Sequence, residues 1–175
     1  MKNILCGIMT VALLAACSKA PESISEVYDP EAGRAIAESE CVDCHRLDGR
    51  GENPDIPNLA AQSAEYLVEA MLAYRDGRRL HAALQDMIEG MADEEIRNIA
   101  GFYADLPPLP PLQQDNDQLA GEPEGEAIAE VCEECHGTKG ISDTEGVPSL
   151  AGQQPAYLIV AIAEYADGTR MHTGQ

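Results

Sequence analysis

Apolar side chains recur at helical spacing in three segments of the first half of the chain. The first segment begins at Asp29 and Pro30, because aspartate caps helix starts and proline is favoured at the first helical position. The second begins at Ser63 and stops at Gly77, and the third opens with the acidic residues 93–95. The apolar positions of the third segment are Ile96, Ile99, Phe102 and Tyr103. Strand signals are weak throughout, so the pattern predicts an all-α protein.

The second half of the chain repeats the first at an offset of 91 residues, which takes Cys41 to Cys132. The same shift relates Pro57 to Pro148, Leu59 to Leu150, Gln62 to Gln153, Tyr66 to Tyr157, Tyr74 to Tyr165, Arg79 to Arg170 and His81 to His172. Upstream of the two cysteines the offset is 92, because one residue has been gained or lost. The sequence therefore predicts a tandem duplication of one fold.

Four prolines stand between the copies at positions 107, 108, 110 and 111. Proline removes backbone donors and favours an extended, semi-rigid chain, so residues 107–120 are interpreted as a linker. The predicted domains are then residues 29–106 and 121–175. The stretch 47–59, rich in Gly, Asn and Pro, is predicted to be a loop.

The second copy stops early, because the counterpart of Leu84 is Gln175, the last residue given. Residues 93–104 have no counterpart, so the second domain is expected to lack its C-terminal helix. A missing helix would leave apolar surface unburied on that domain. This favours either a truncated copy of a longer gene product or a partner that completes the fold.

Residues 1–16 are interpreted as an export signal, since Lys2 precedes a mostly apolar run that is too short to span a membrane. The run ends Leu14-Ala15-Ala16-Cys17, which resembles a bacterial lipobox and implies cleavage before Cys17 and acylation of its sulfur. The alternative is an ordinary secretory signal with a chance cysteine. Ser18 favours the outer membrane by resemblance to sorting rules, with residues 17–28 as a flexible tether. In both cases the folded part faces the periplasm.

Each copy contains one C-x-x-C-H motif: Cys41, Cys44 and His45 in the first, and Cys132, Cys135 and His136 in the second. At this spacing two thiols attach one haem covalently and the adjacent imidazole binds its iron. A redox dithiol would not need the histidine, and one zinc shared between the motifs is the other alternative. The remaining cysteines, Cys6 and Cys17, lie in or beside the export signal, so none is left for a structural disulfide. The motifs therefore predict two covalently bound haem c groups.

Composition agrees with this prediction. The chain has one Phe, six Tyr and no Trp, and two small domains can bury little core of their own unless a large apolar macrocycle supplies it. The formal net charge is −20, which argues against nucleic acid as a partner. An acidic electron carrier should instead dock on basic patches of redox partner proteins, with on-rates that fall as salt rises.

The chain resembles the di-haem cytochrome c4 family, in which two class I cytochrome c domains stand in tandem, and the similar di-haem subunit of flavocytochrome c sulfide dehydrogenase. The resemblance covers nearly all of residues 30–175. Besides the two motifs it rests on the segments 57–62 with 66–67, 148–153 with 157–158, 74–79 and 92–96. It implies an electron carrier with His and Met as axial iron ligands. It also implies that the carbonyls of Pro57 and Pro148 accept the N–H of each proximal imidazole, which fixes the ring and raises its basicity.

The chain departs from the family at the distal ligand, because alignment through residues 92–95 puts Leu84 where a Met is expected. Met87, on the same helical face, is the first substitute; His81 is the second, and an open iron is the third. Met71 and Met91 are interpreted as core residues. In the second copy Met171 and His172 are the candidates, with a five-coordinate iron as the alternative.

The sequence thus predicts a carrier of single electrons between respiratory or dehydrogenase partners. No nucleophile–base pair or glycine-rich phosphate loop is evident, so the chain is not expected to be an enzyme itself. One alternative is the electron-accepting subunit of a flavoprotein dehydrogenase. Another, less favoured, is a haem ligand sensor or peroxidase, which would need an open iron and a distal acid–base group.

Overall fold

The computed structural model describes residues 28–110 and 123–171, and within these ranges the chain is helical with no strand. The helices are α1 (Pro30–Glu40), α2 (Val42–His45), α3 (Ala64–Arg75), α4 (Ala82–Ile88), α5 (Asp93–Ala104), α6 (Pro123–His136) and α7 (Pro155–Asp167). One 3₁₀ turn, Thr138–Gly140, follows α6. The predicted all-α class is confirmed. No helix in the described ranges combines the length and apolarity that crossing a membrane requires.

The first and second helix starts are those that the sequence predicts. The Asp29 carboxylate accepts hydrogen bonds from the N–H groups of Glu31 and Ala32 at 3.0 and 3.1 Å, and Pro30 opens α1. The Ser63 hydroxyl accepts from the N–H of Tyr66 at 3.2 Å at the start of α3. Side chains thus satisfy backbone donors that a helix start leaves without partners.

The start and end of helix α4 were not predicted by the sequence pattern, although Leu84 and Met87 were placed on one helical face. It is seven residues long, and its cap is His81, whose Nδ1 accepts a hydrogen bond from the N–H of Leu84 at 3.3 Å. Histidine is not among the residues that usually mark a helix start, and seven residues give too short a periodic signal.

The first domain closes around α5, which packs against both α1 and α3. The helices α1 and α5 approach closely at Gly33, where an added Cβ would collide with the backbone carbonyl of Asn98. Tyr103 and Ile96 of α5 are fully buried in this core. The other buried apolar residues of this core are Ala37, Leu67, Val68, Ile88, Ile99, Ala100 and Phe102.

In the described part of the second domain, α6 and α7 stand where α1 and α3 stand in the first, and nothing takes the place of α5. Gly125, the counterpart of Gly33, has open space where its Cβ would be. Several large apolar side chains of α6 and α7 are exposed: Ile128, Val131, Ile159, Val160 and Ile162. The expected unburied apolar surface is present.

The two domains meet through tyrosine–arginine pairs related by the repeat. Arg170 donates to the Tyr66 hydroxyl at 2.6 Å, and Arg79 donates to the Tyr157 hydroxyl at 3.3 Å. Glu164 lies 3.7 Å from Arg79 and 3.6 Å from Arg170, so its carboxylate balances two buried guanidinium groups. The predicted linker is described only as far as residue 110, and residues 107–110 are not helical.

Candidate functional site

The first C-x-x-C-H motif lies at the junction of α1 and α2. Cys41 ends α1, and the single turn of α2 carries Cys44 and His45. Positions i, i+3 and i+4 of a helical turn lie on one face, so both thiols and the imidazole are presented together. Cys41 packs against the core while Cys44 is exposed, and both thiols are free. Burial raises the pKa of the Cys41 thiol to about 11, with a further contribution from Glu40.

The loop that follows the motif contacts the Nδ1 side of the His45 imidazole. Its Nδ1 lies 3.0 Å from the carbonyl oxygen of Pro57. Burial lowers the pKa of His45, although the contact with Pro57 opposes the shift, so the neutral ring is favoured. A neutral imidazole that donates from Nδ1 keeps the Nε2 lone pair for a metal ion.

The second motif repeats this geometry without the surrounding core. His136 ends α6, and its Nδ1 lies 2.8 Å from the carbonyl oxygen of Pro148. A cavity of about 340 Å³ opens beside it, within the size range of cofactor sites. Its lining residues include Cys132, His136, Gly140 and Leu150. One thiol, the proximal imidazole and apolar walls therefore face one space, which is what a covalently attached haem requires.

A zinc shared between the motifs gains no support from the geometry. Within residues 28–110 and 123–171, no three His, Cys, Asp or Glu side chains converge as a metal site would need. Each motif instead presents one histidine and two free thiols, the set that fits one haem.

The candidates for distal ligand of the first site lie on or beside α4. Leu84 and Met87 are half-buried and pack against the core. His81 is exposed, its Nδ1 caps α4, and its ring meets Tyr74 edge-on at a centroid distance of 6.1 Å. Met71 and Met91 also pack against the core, as their helical spacing suggested.

The distal candidates of the second site fall at the edge of the described chain. Met171 is described and 63% exposed. His172 and the lipobox cysteine, Cys17, lie outside the described residues. Both remain predictions from the sequence.

Two glutamines to which the sequence analysis gave no role join the domains beside the histidines. Gln153 accepts the N–H of Asn58 at 2.7 Å and donates to the carbonyl oxygen of Asn58 at 2.8 Å. Gln62 accepts the N–H of Ser149 at 2.8 Å and donates to its carbonyl oxygen at 2.9 Å. We call these pairs the amide clasps. The sequence signal that could have identified these glutamines is their repetition at an offset of 91, five residues after Pro57 and Pro148.

The comparisons with known proteins agree with this geometry. The Cytochrome c family model matches residues 30–106. The chain is 31% identical over 152 residues to cytochrome c4 of Pseudomonas aeruginosa, covering 83% of this chain and 75% of that protein. It is 28% identical over 173 residues to the thiosulfate dehydrogenase electron acceptor of Thiomonas intermedia, covering 93% and 76%.

Two solved structures have the same fold. Reduced cytochrome c4 from Pseudomonas stutzeri superposes with a TM-score of 0.73 at 24% identity, covering 85% of this chain and 86% of that one. Thiosulfate dehydrogenase from Marichromatium purpuratum gives a TM-score of 0.72 at 28% identity, covering 81% of this chain and 34% of that one. The first likeness shows the fold alone, and the second involves about a third of a longer chain.

Proposed function

The chain belongs to the cytochrome c4 family, and from this premise we propose that it is a periplasmic carrier that accepts and passes on single electrons through two haem groups. It is an electron-transfer cytochrome with covalently bound haem c. The observation that carries the two-haem proposal is the recurrence of one arrangement in both repeats. Each C-x-x-C-H motif presents free thiols and an imidazole whose Nδ1 is held by a proline carbonyl, at 3.0 and 2.8 Å.

The residues of each motif have distinct roles in this proposal. The thiols of Cys41 and Cys44 attach one haem, and those of Cys132 and Cys135 the other. His45 and His136 bind iron through Nε2, while Pro57 and Pro148 fix the ring orientation. The bound iron supplies the one-electron redox chemistry, and the protein supplies attachment, ligands and an apolar surrounding.

For the first iron we propose Met87 as distal ligand, ahead of His81. Met87 belongs to the apolar side of α4, whereas the Nδ1 of His81 already caps that helix. Met87→Leu should remove the contribution of the first haem to the near-red absorption band of Met-ligated ferric haem, whereas His81→Asn, which preserves a capping side chain, should leave the band unchanged. The opposite pattern would assign His81. For the second iron the proposal stays with Met171 or His172.

The proposed partners are redox proteins with basic docking surfaces. The net charge of −20 supports this, since opposite charge steers such encounters. A second candidate function is electron acceptor of a dehydrogenase, which two relatives favour because their names refer to thiosulfate dehydrogenase. A flavoprotein dehydrogenase is the alternative from the sequence. To distinguish these alternatives, we would compare the rates at which a thiosulfate dehydrogenase and a flavoprotein dehydrogenase reduce the purified protein, at low and at high salt.

We further propose that Cys17 carries a lipid that holds the protein at the periplasmic face of the outer membrane. The support is the sequence Leu14-Ala15-Ala16-Cys17 followed by Ser18. Radiolabelled fatty acid should be incorporated by the natural protein and not by Cys17→Ser. Equal labelling would contradict the proposal.

The decisive experiment counts haem per chain and records the reduced spectrum with and without carbon monoxide. Two haems per chain support the di-haem carrier, and one or none contradicts it. No spectral change with carbon monoxide would mean two six-coordinate irons, as a dedicated carrier needs. A change in about half the haem would mean one open iron and would favour ligand chemistry at that domain.

A further inference from the structure

The amide clasps act on the same peptide groups that hold the proximal histidines. The carbonyl of Pro57, which faces His45, and the N–H of Asn58, which Gln153 accepts, belong to one peptide unit. The carbonyl of Pro148 and the N–H of Ser149 form the equivalent unit for His136 and Gln62. An unbroken line of hydrogen bonds therefore runs from each imidazole to a glutamine of the other domain.

Given the proposed function, on which this step rests, we propose that Gln153 is a positioning residue for His45 and Gln62 for His136. Each domain thereby tunes the iron ligand of its partner domain. A peptide unit is planar, so a glutamine that fixes the N–H also fixes the direction of the carbonyl. Hydrogen bonds in series polarise one another, so an accepted N–H makes the carbonyl of the same unit a stronger acceptor.

Glutamine is chemically suited to this role. Its amide offers an acceptor and a donor side by side, so it satisfies both the N–H and the carbonyl of one residue. Each Oε1 also accepts the N–H of the next residue, Ser63 or Gln154, which fixes the amide in turn. Asn58 and Gln62 are buried, so water does not readily replace a lost clasp bond.

The two clasps differ in strength. Asn58 adds a side-chain bond to the carbonyl oxygen of Gly152 at 2.7 Å and accepts the N–H of Gly51 at 2.9 Å. The hydroxyl of Ser149, its counterpart, accepts the N–H of Ser142, within its own domain, at 3.1 Å, and among the described residues it makes no bond to the other domain. Asn58 is therefore held across the interface by three hydrogen bonds and Ser149 by two. We expect the first site to be the more rigid.

The test follows the two proximal imidazoles separately by NMR of the reduced full chain with ¹⁵N-labelled histidine. Nuclear Overhauser contacts to Asn58 or Ser149 assign each Nδ1–H signal to its domain. Gln153→Ala should shift the His45 signal and leave His136 in place, and Gln62→Ala should do the reverse. The matched control, Gln85→Ala on α4, lies outside both clasps and should move neither signal.

The redox potentials give a second readout. Loss of packing alone would not change the potential of only the haem in the domain opposite the substituted glutamine. A weaker bond to the proline carbonyl lowers imidazole basicity, which destabilises ferric iron. An NMR-monitored redox titration should thus show a raised potential at the first haem in Gln153→Ala and at the second haem in Gln62→Ala. Gln153→Glu and Gln62→Glu keep the side-chain size and replace the acceptor of the N–H by an anionic one, so they should shift the same histidine signals and lower, rather than raise, the same potentials. They serve if the alanine variants fail to fold.

Either of two results would overturn the proposal. One is that each variant moves only the histidine of its own domain, and the other is that neither histidine signal nor either potential responds. Failure of the proposed function would appear differently, as a chain without haem in the absorbance count. In that event the Nδ1–H signals of the haem-free protein still report whether Gln153 and Gln62 act across the interface.

Discussion

The two repeats carry the same motif in very different surroundings. In the first, Ile96, Tyr103 and their neighbours form a closed core around α5. In the described part of the second, α6 and α7 expose Ile128, Val131 and Ile159. Yet the histidine–proline contact is equally short in both, 3.0 Å for His45 and 2.8 Å for His136.

The difference teaches that the geometry of the proposed iron ligands does not depend on the core helix α5. In both repeats it is formed by a helix end, the residues of the motif and a loop returning twelve positions later, with an amide clasp from the other domain behind that loop. In the first domain burial disfavours charge on the imidazole and lowers the pKa of His45. We therefore expect substitutions in the two cores to separate stability from ligand geometry.

The largest contrast should come from the same substitution in the two repeats, Ile96→Ala and Ile159→Ala. Ile96 is fully buried, so its truncation leaves a cavity and should cost about 2–5 kcal/mol of unfolding free energy. Ile159 is 69% exposed, so its truncation should change stability by less than about 0.5 kcal/mol. Denaturant unfolding of the haem-loaded protein measures both. Similar losses would mean that Ile159 is covered in solution.

The second contrast uses the helix-crossing glycines, Gly33 and Gly125. Gly33→Ala puts a methyl group into the carbonyl of Asn98 and should cost about 1–3 kcal/mol, as overpacking does. Gly125→Ala meets open space within a helix and should stabilise by up to about 1 kcal/mol. Thermal unfolding of both variants provides the measurement. A destabilising Gly125→Ala would show that a helix crosses α6 as α5 crosses α1.

Much of the first domain could be predicted because its helix starts carry local signals, such as Asp29 before Pro30 and Ser63. The start of helix α4 could not, since His81 is an uncommon cap for a short helix. The histidines proposed to bind iron followed from spacing, and their proline partners from resemblance. The roles of Gln62 and Gln153 did not, because their partners lie 87 and 95 residues away and only the packing of one repeat on the other brings them together.

A smaller effect should follow from making the first clasp resemble the second by Asn58→Ser. The change removes the bond to Gly152 while a serine hydroxyl can still accept the N–H of Gly51, as Ser149 accepts that of Ser142, so it should cost about 0.5–1.5 kcal/mol. Ser149→Asn is the matched control, since it lengthens the counterpart without removing a backbone partner. Chemical denaturation followed at the haem band tests both variants. An unchanged midpoint for Asn58→Ser would show that water replaces the side chain.

The smallest expected effect is a difference in pKa between Tyr66 and Tyr157, the repeat-related tyrosines at the interface. Burial acts to raise the pKa of both Tyr66 and Tyr157, but the Tyr157 hydroxyl also accepts hydrogen bonds from Arg79 and Arg170, each at 3.3 Å. These charges bring the pKa of Tyr157 below its ordinary value, while the pKa of Tyr66 stays raised.

Tyr157 should therefore ionise first, and its effect on stability has a definite sign. Because the pKa of Tyr157 is lower in the folded state, its ionisation adds to the free energy of unfolding as pH rises from that folded-state pKa to the ordinary tyrosine value of about 10. The added stability is lost as pH falls through the folded-state pKa. Ultraviolet difference titration should show one early phenolate, absent in Tyr157→Phe and retained in Tyr66→Phe. If Tyr66→Phe removed the early phenolate instead, Tyr66 would be the tyrosine with the lower pKa. The hydrogen bond from the Arg170 guanidinium to Tyr66 at 2.6 Å would then be the dominant influence.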